Sequence, residues 1–368
     1  MNIEQIKSIK LNFILATART GSTLLLSMLN LHPNIVSAEE EPFSYNLHPR
    51  FGKIKKWTSK TIDTYCNDFY FLSKGKLKTQ FGTKQDLKSI LETYKPYLTF
   101  DVVIKLTYLC FQPNKDKSHI TAIFDKQLEY HACLEVIAKI YPDSKFIILQ
   151  RDPRDQVLAM SLLAKRKKEF RKSFLLRALT WNYKYKTLLK KAAEIGKERF
   201  LEIKYEDLIL NPEMELKRIS GFFNMPYNST MLAYDEHFKK LGNEKGVSES
   251  TINNFLTEQS SLLQKLNKNK IDAWKEGLTN KEANLIWAVC FDVAEKMGYK
   301  RDEHFVSQKF NFNNYVTYLV FLIRNIVAPK IYHLLPYYIK YVIVYSMKLG
   351  KIYKPNDKHA YPNSYHNN

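Results

Sequence analysis

Three stretches of the chain predict a three-layer α/β fold, a central parallel β-sheet flanked by helices, with a helical C-terminal extension. Leu11 to Asn30 (LNFILATARTGSTLLLSMLN) runs from an apolar segment through a tight turn into a leucine-faced helix. Ile120 to Leu149 holds a strand, an apolar-periodic helix from Tyr130 to Ile140, a Tyr141-Pro142-Asp143-Ser144 turn and a second apolar strand from Lys145. Such a βαβ unit sets its strands parallel through a right-handed crossover. Arg199 to Glu213 adds a further strand, its exit and a helix start at Asn211-Pro212-Glu213.

In the first stretch, Phe13 to Ala16 reads as a buried strand, Thr17 to Gly21 as the turn and Ser22 to Leu29 as the helix. A turn of this kind aims several backbone N–H groups and the positive end of the helix at one point, which suits a doubly charged anion. Laid against the P-loop pattern GxxxxGK[ST], Ala16 takes the first glycine, Gly21 the second and Thr23 the hydroxyl, but Ser22 stands where the lysine belongs. The loop is P-loop-like, yet a nucleotide kinase or NTPase working through that lysine and Mg²⁺ is disfavoured. Arg19, Thr20, Ser22 and Thr23 still offer a cation and three hydroxyls around the anion.

A His32-Pro33 turn then leads into a short strand and three adjacent carboxylates, Glu39, Glu40 and Glu41. Alone these read as a solvated acidic turn; crowding also gives one of them a reason for a raised pKa, as a base near neutrality needs. Residues 46–99 are rich in Lys, Tyr and Phe and read as helices whose aromatics are core first. Arg151 follows the 145–149 strand directly, Asp152 takes a capping position and Pro153 opens a helix, placing the arginine at a carboxyl edge where parallel sheets bind ligands. A helix surrounds Trp181 to Ala193, and residues 236–269, rich in Lys, Asn and Ser, read as a lid or long loop. Thr279 to Glu282 is a capping box, and Gly298 stops the helix it opens.

At 368 residues the chain can bury one large α/β domain, here 1–304, with an extension at 305–368. A formal charge of +20 favours polyanionic ligands, anionic lipid or acidic glycans, and by sign alone fits nucleic acid equally. Four scattered cysteines without a CxxC pair point to neither a zinc site nor a disulfide framework, and so to a reducing, cytoplasmic setting. The N-terminus reaches the first strand too soon for a signal peptide or an anchor. The extension carries eight Lys or Arg against one acid, Asp357, and two apolar stretches, Tyr315 to Val327 and Leu334 to Met347, too short to span a bilayer cleanly. That composition suits a peripheral position on an anionic membrane surface, with self-packing or a dimer contact as alternatives.

The chain resembles the sulfotransferases that use 3′-phosphoadenylyl sulfate, in particular the carbohydrate and bacterial types. The resemblance rests on Arg19-Thr20-Gly21-Ser22-Thr23, Asp125-Lys126, Pro142-Asp143-Ser144-Lys145-Phe146-Ile147, Arg151-Asp152-Pro153-Arg154 and Tyr205-Glu206-Asp207-Leu208, in that order over most of residues 10–301. It implies that Arg19 and the loop Thr20 to Thr23 hold the 5′-phosphosulfate and that Lys126 offsets charge at the transferring sulfuryl group. It makes Glu40, eight residues after His32, the base that takes the acceptor's proton, with Glu39 and Glu41 as the neighbouring alternatives. Arg151 and a serine on the next helix would hold the 3′-phosphate; position 159, where that serine usually falls, is alanine, and Ser161 is the nearest hydroxyl. Lys268, Lys270 and Trp274 match a basic segment that closes on the donor, and Tyr205 belongs to a strand exit that braces the donor loop. The resemblance implies a sulfuryl transferase with no metal requirement and no nucleic-acid partner, acting on a small molecule, a glycan or a glycolipid. A peptide tyrosine or small phenol is the other acceptor, and a catalytically silent membrane or polyanion binder the other class of function.

Overall fold

Five parallel strands in the order β2-β3-β1-β4-β5 form the sheet: β1 (Lys10–Leu15), β2 (Ile35–Glu39), β3 (Ala122–Gln127), β4 (Phe146–Gln150) and β5 (Phe200–Lys204). The computed structural model describes residues 1–39, 43–72, 83–111, 115–128, 130–167, 173–235, 265–306 and 312–328, with 331, 334, 335 and 339. The apolar runs exist because the sheet is covered on both faces. Leu11, Phe13 and Leu15 of β1 enter one core with Phe146 and Ile148, while Ile14 and Ala16 enter the other with Ile147 and Leu149. Fully burying a Leu, Ile or Phe side chain stabilises by about 1.5–3 kcal/mol.

The flanking helices used below are α1 (Ser22–Asn30), α2 (Phe100–Leu109), α3 (Leu134–Ile140), α4 (Pro153–Arg166), α5 (Phe174–Ile195), α6 (Pro212–Phe222), α7 (Asn280–Lys296) and α8 (Phe312–Leu322). Helix α1 packs Leu25, Met28 and Leu29 under the sheet, and α4 starts where expected, with the Asp152 carboxylate accepting from Arg154 N. Thr279 caps α7 through a full capping box with Glu282, and Gly298 follows its end at φ +77°. The Tyr130–Ile140 segment differs from the single helix its periodicity predicts: a 3₁₀ turn covers Tyr130–Ala132 and α3 begins at Leu134.

The described residues of 43–111 form helices beside the β2 edge, and most of their aromatics are core. Phe43, Phe51, Trp57, Tyr65, Phe69, Tyr108 and Phe111 are buried, with Phe43 set edge-on to Phe69 at 5.0 Å between ring centroids. Helix α8 continues into a π-helical turn (Ile323–Val327) and packs on α5, where the Phe321 ring lies 5.9 Å from that of Tyr183. Among the described residues no helix is long and apolar enough to cross a membrane. The lid reading of 236–269 falls mostly, and the apolar stretch from Leu334 to Met347 largely, outside the described residues.

Candidate active site

The loop between β1 and α1 is held from below by a buried polar network. Gln156, on the first turn of α4, donates its amide to the Thr17 hydroxyl and to Ala18 O (2.7 Å), and accepts from Trp181 Nε1 (2.8 Å). The Tyr185 hydroxyl donates to Leu149 O at 2.8 Å and lies 3.4 Å from Thr17 Oγ1. Thr20 turns inward and donates its hydroxyl to Thr17 O. That hydroxyl, expected at the anion, is buried and committed to the loop itself.

Gly21 caps α1 at φ +92°, a left-handed conformation, and a Cβ there would lie 2.4 Å from Cδ2 of Tyr205. The position therefore requires glycine twice, for its backbone and for the ring against it. Arg19 is also left-handed, at φ +68°.

Arg151 joins this loop to the next edge of the site. Its guanidinium donates to Arg19 O (3.2 Å) and Lys270 O (2.6 Å) and lies 4.3 Å from the Tyr205 ring centroid. The side chain is 6% exposed, and its Nε has no hydrogen-bond partner. Tyr205 thus carries Gly21 and Arg151 on one ring. The segment 267–275 is tied down by Asp155, whose carboxylate accepts from Asp272 N (2.9 Å) and Trp274 N (2.8 Å). Burial pushes the Asp155 carboxyl up to about 7, against the opposing pull of Arg151 and the Trp274 amide. Arg154 is ion-paired to Asp152 and sandwiched between Trp274 and Trp287, at 4.0 and 4.7 Å from their rings. Glu206 accepts from Asp152 N (2.9 Å) and from the Tyr299 hydroxyl (3.0 Å), and burial raises its carboxyl.

The lysine missing from the loop arrives from the adjacent strand. Lys126, on β3 and 1% exposed, donates from Nζ to Thr23 Oγ1 at 3.1 Å. Beside it, buried Asp125 is fixed by the Tyr108 hydroxyl and the Gln127 amide, each at 2.7 Å. In the β2–β3 pairing Glu39 is the partner of Lys126. The three-carboxylate run thus begins next to the lysine, with Glu40 and Glu41 outside the described residues.

A family model described as the sulfotransferase family matches residues 13–229, which contain the loop, Lys126, Arg151 and Tyr205. The chain belongs to the sulfotransferase family. It is 28% identical over 251 residues to protein-tyrosine sulfotransferase 1 of Danio rerio, covering 67% of this chain and 61% of that one. With protein-tyrosine sulfotransferase 2 of Gallus gallus it shares 27% over 251 residues, covering 67% and 58%. The chain therefore spans less than two thirds of the length of either relative. In fold it is similar to the sulfotransferase domain from the curacin biosynthetic pathway, at 19% identity and TM-score 0.51, covering 80% of this chain and 99% of that domain.

In this member of the family the structure brings together Arg19, Gly21, Thr23, Lys126 and Arg151, with Ser22 as the first residue of α1. Lys270 reaches them through its carbonyl, while the Lys268 and Lys270 side chains are exposed. Trp274 is buried in the core against Arg154 and holds its segment through its backbone N–H. Ser161 donates its hydroxyl to Val157 O within α4. Because α4 begins at Pro153, Ser161 stays roughly 200° around the helix from Ala159. Sequence reading missed Thr17, Gln156, Tyr185 and Asp155. Their partners lie far along the chain, and the one local sign was a polar residue opening an otherwise apolar helix face.

Proposed function

We propose that the chain transfers a sulfuryl group from 3′-phosphoadenylyl sulfate to an acceptor hydroxyl, and that a tyrosine phenol of a polypeptide is the first acceptor to test. The observation that carries this reading is the Arg151 guanidinium resting on Arg19 O at 3.2 Å. It puts the loop's anion site and a buried arginine with a spare Nε donor within one small ligand of each other. A nucleotide charged at both its 5′ and 3′ ends fits that pairing. The N–H groups opening α1, Arg19 and Thr23 face the 5′ end, and Arg151 the 3′ end.

In the transfer, Glu40 takes the acceptor's proton, the acceptor oxygen bonds to sulfur, and the sulfur–oxygen bond to the 5′-phosphate breaks, leaving adenosine 3′,5′-bisphosphate. Lys126, held at Thr23, stabilises charge on the sulfuryl or bridging oxygen as that bond breaks. Glu39's register with Lys126 supports a base from this carboxylate run, of which Glu40 is the member that the resemblance implies. Placement and electrostatics supply the acceleration, as in phosphoryl transfer.

The names of the curated relatives favour tyrosine over a sugar or lipid hydroxyl, and the +20 charge favours an acidic polypeptide. The test incubates the full chain with the donor and, separately, an acidic tyrosine peptide, an oligosaccharide and a glycolipid, with mass detection of the sulfated product. The peptide is expected to be sulfated, and Glu40→Gln to abolish turnover while keeping bisphosphate binding. Sulfation of the oligosaccharide or glycolipid alone overturns the acceptor; wild-type turnover in Glu40→Gln overturns the base.

A further inference from the structure

Helix α8 is seated by one face and leaves an apolar row on the other. Phe321 is buried against α5, whereas Val316, Leu319, Val320, Ile323 and Val327 are 44–60% exposed at helical spacing along the opposite side. Exposed apolar side chains gathered in one row mark a surface with an occupant. Three occupants are conceivable: a second copy, the residues that follow in this chain, or a lipid surface. Charge separates them. Between residues 305 and 368 the chain carries eight Lys or Arg against one acid, and the whole chain is at +20, so two copies brought face to face repel while an anionic surface attracts. Residues 312–328 extend about 25 Å as a helix, short of a bilayer's ~30 Å hydrocarbon core, which fits a helix lying along the surface.

We propose that this outer face of α8 docks the protein onto an anionic lipid surface, with the five aliphatic side chains in the acyl boundary.

The test is cosedimentation of the full chain with phosphatidylcholine vesicles and with vesicles containing a minority of phosphatidylglycerol. Binding is expected to the anionic vesicles, to weaken at high salt, and to fall about 10-fold or more in the double variant Leu319→Asp/Ile323→Asp. Because both side chains are exposed, the variant should keep the wild-type far-UV circular dichroism and melting temperature. A Val316→Trp variant gives a second readout: its fluorescence should shift to the blue on anionic vesicles only. Equal binding to neutral vesicles, unchanged binding by the double variant, or no shift at position 316 overturns the proposal. A dimer in sedimentation equilibrium that the double variant dissociates overturns it in favour of a second copy. Vesicle binding that appears only after removal of residues 341–368 overturns it in favour of the chain's own tail.

Discussion

Replacing Gly21 by alanine adds a methyl group where two costs coincide. The residue sits at φ +92°, ψ +12°, where an L side chain crowds its own backbone at about 1–2 kcal/mol. The new Cβ would also lie 2.4 and 2.8 Å from Cδ2 and Cε2 of Tyr205. A ring wedged between the loop and Arg151 cannot retreat freely, so overpacking adds roughly 1–3 kcal/mol. Gly21→Ala is therefore predicted to lower unfolding free energy by roughly 2–5 kcal/mol, read by urea denaturation. Repeating the substitution in a Tyr205→Ala background separates the two costs, since without the ring only the backbone share of about 1–2 kcal/mol remains. A full cost that persists without the ring, or a Gly21→Ala protein within about 0.5 kcal/mol of wild type, refutes the packing argument.

Lys126→Met should lower the rate of sulfuryl transfer by about 10²–10³ while leaving affinity for adenosine 3′,5′-bisphosphate nearly unchanged, since that product lacks the sulfuryl group. Steady-state kinetics paired with calorimetry separates this from general damage to the site. Gln156→Ala leaves Trp181 Nε1 without its buried acceptor and removes the amide donor to Thr17 and Ala18, and should destabilise by about 1–3 kcal/mol in urea titration. Asp155 gives a pH dependence. Its folded pKa of about 7 lies above the ordinary 3.8, so between those values the folded protein keeps a proton that the unfolded chain has released. The stability linked to this carboxyl is therefore greatest at low pH and declines as pH rises through that window, by at most ~1.4 kcal/mol per unit. Denaturation at a series of pH values should show a shallower decline for Asp155→Asn than for wild type, and parallel curves would contradict the assignment.

The sheet was legible because strands buried on both faces are largely apolar: β1 and β4 lie in such runs, and β3 opens with Ala122-Ile123-Phe124 before its polar end. The insertion of β1 between β3 and β4 has no local signal in the sequence, whereas the loop and Arg151 were legible from the residues at the strand ends. The 46–99 segment was illegible for a physical reason: its helices pack aromatics against one another, so no single apolar face repeats along them. Gln156 was illegible because its meaning lies in Thr17, 139 residues earlier, and no local pattern encodes that contact. Thr20 was misread in the opposite direction. A hydroxyl in an anion loop suggests a ligand contact, but a buried backbone carbonyl within its reach claimed it first.

The most direct measurement is calorimetric titration of the wild-type chain and of Arg151→Ala with adenosine 3′,5′-bisphosphate and with AMP, which lacks the 3′-phosphate. If Arg151 and the loop grip one nucleotide at its two ends, the wild type should prefer the bisphosphate by about 10-fold or more, and Arg151→Ala should lose that preference while still binding AMP. Equal affinity of the wild type for the two nucleotides, or a preference that survives Arg151→Ala, would contradict it.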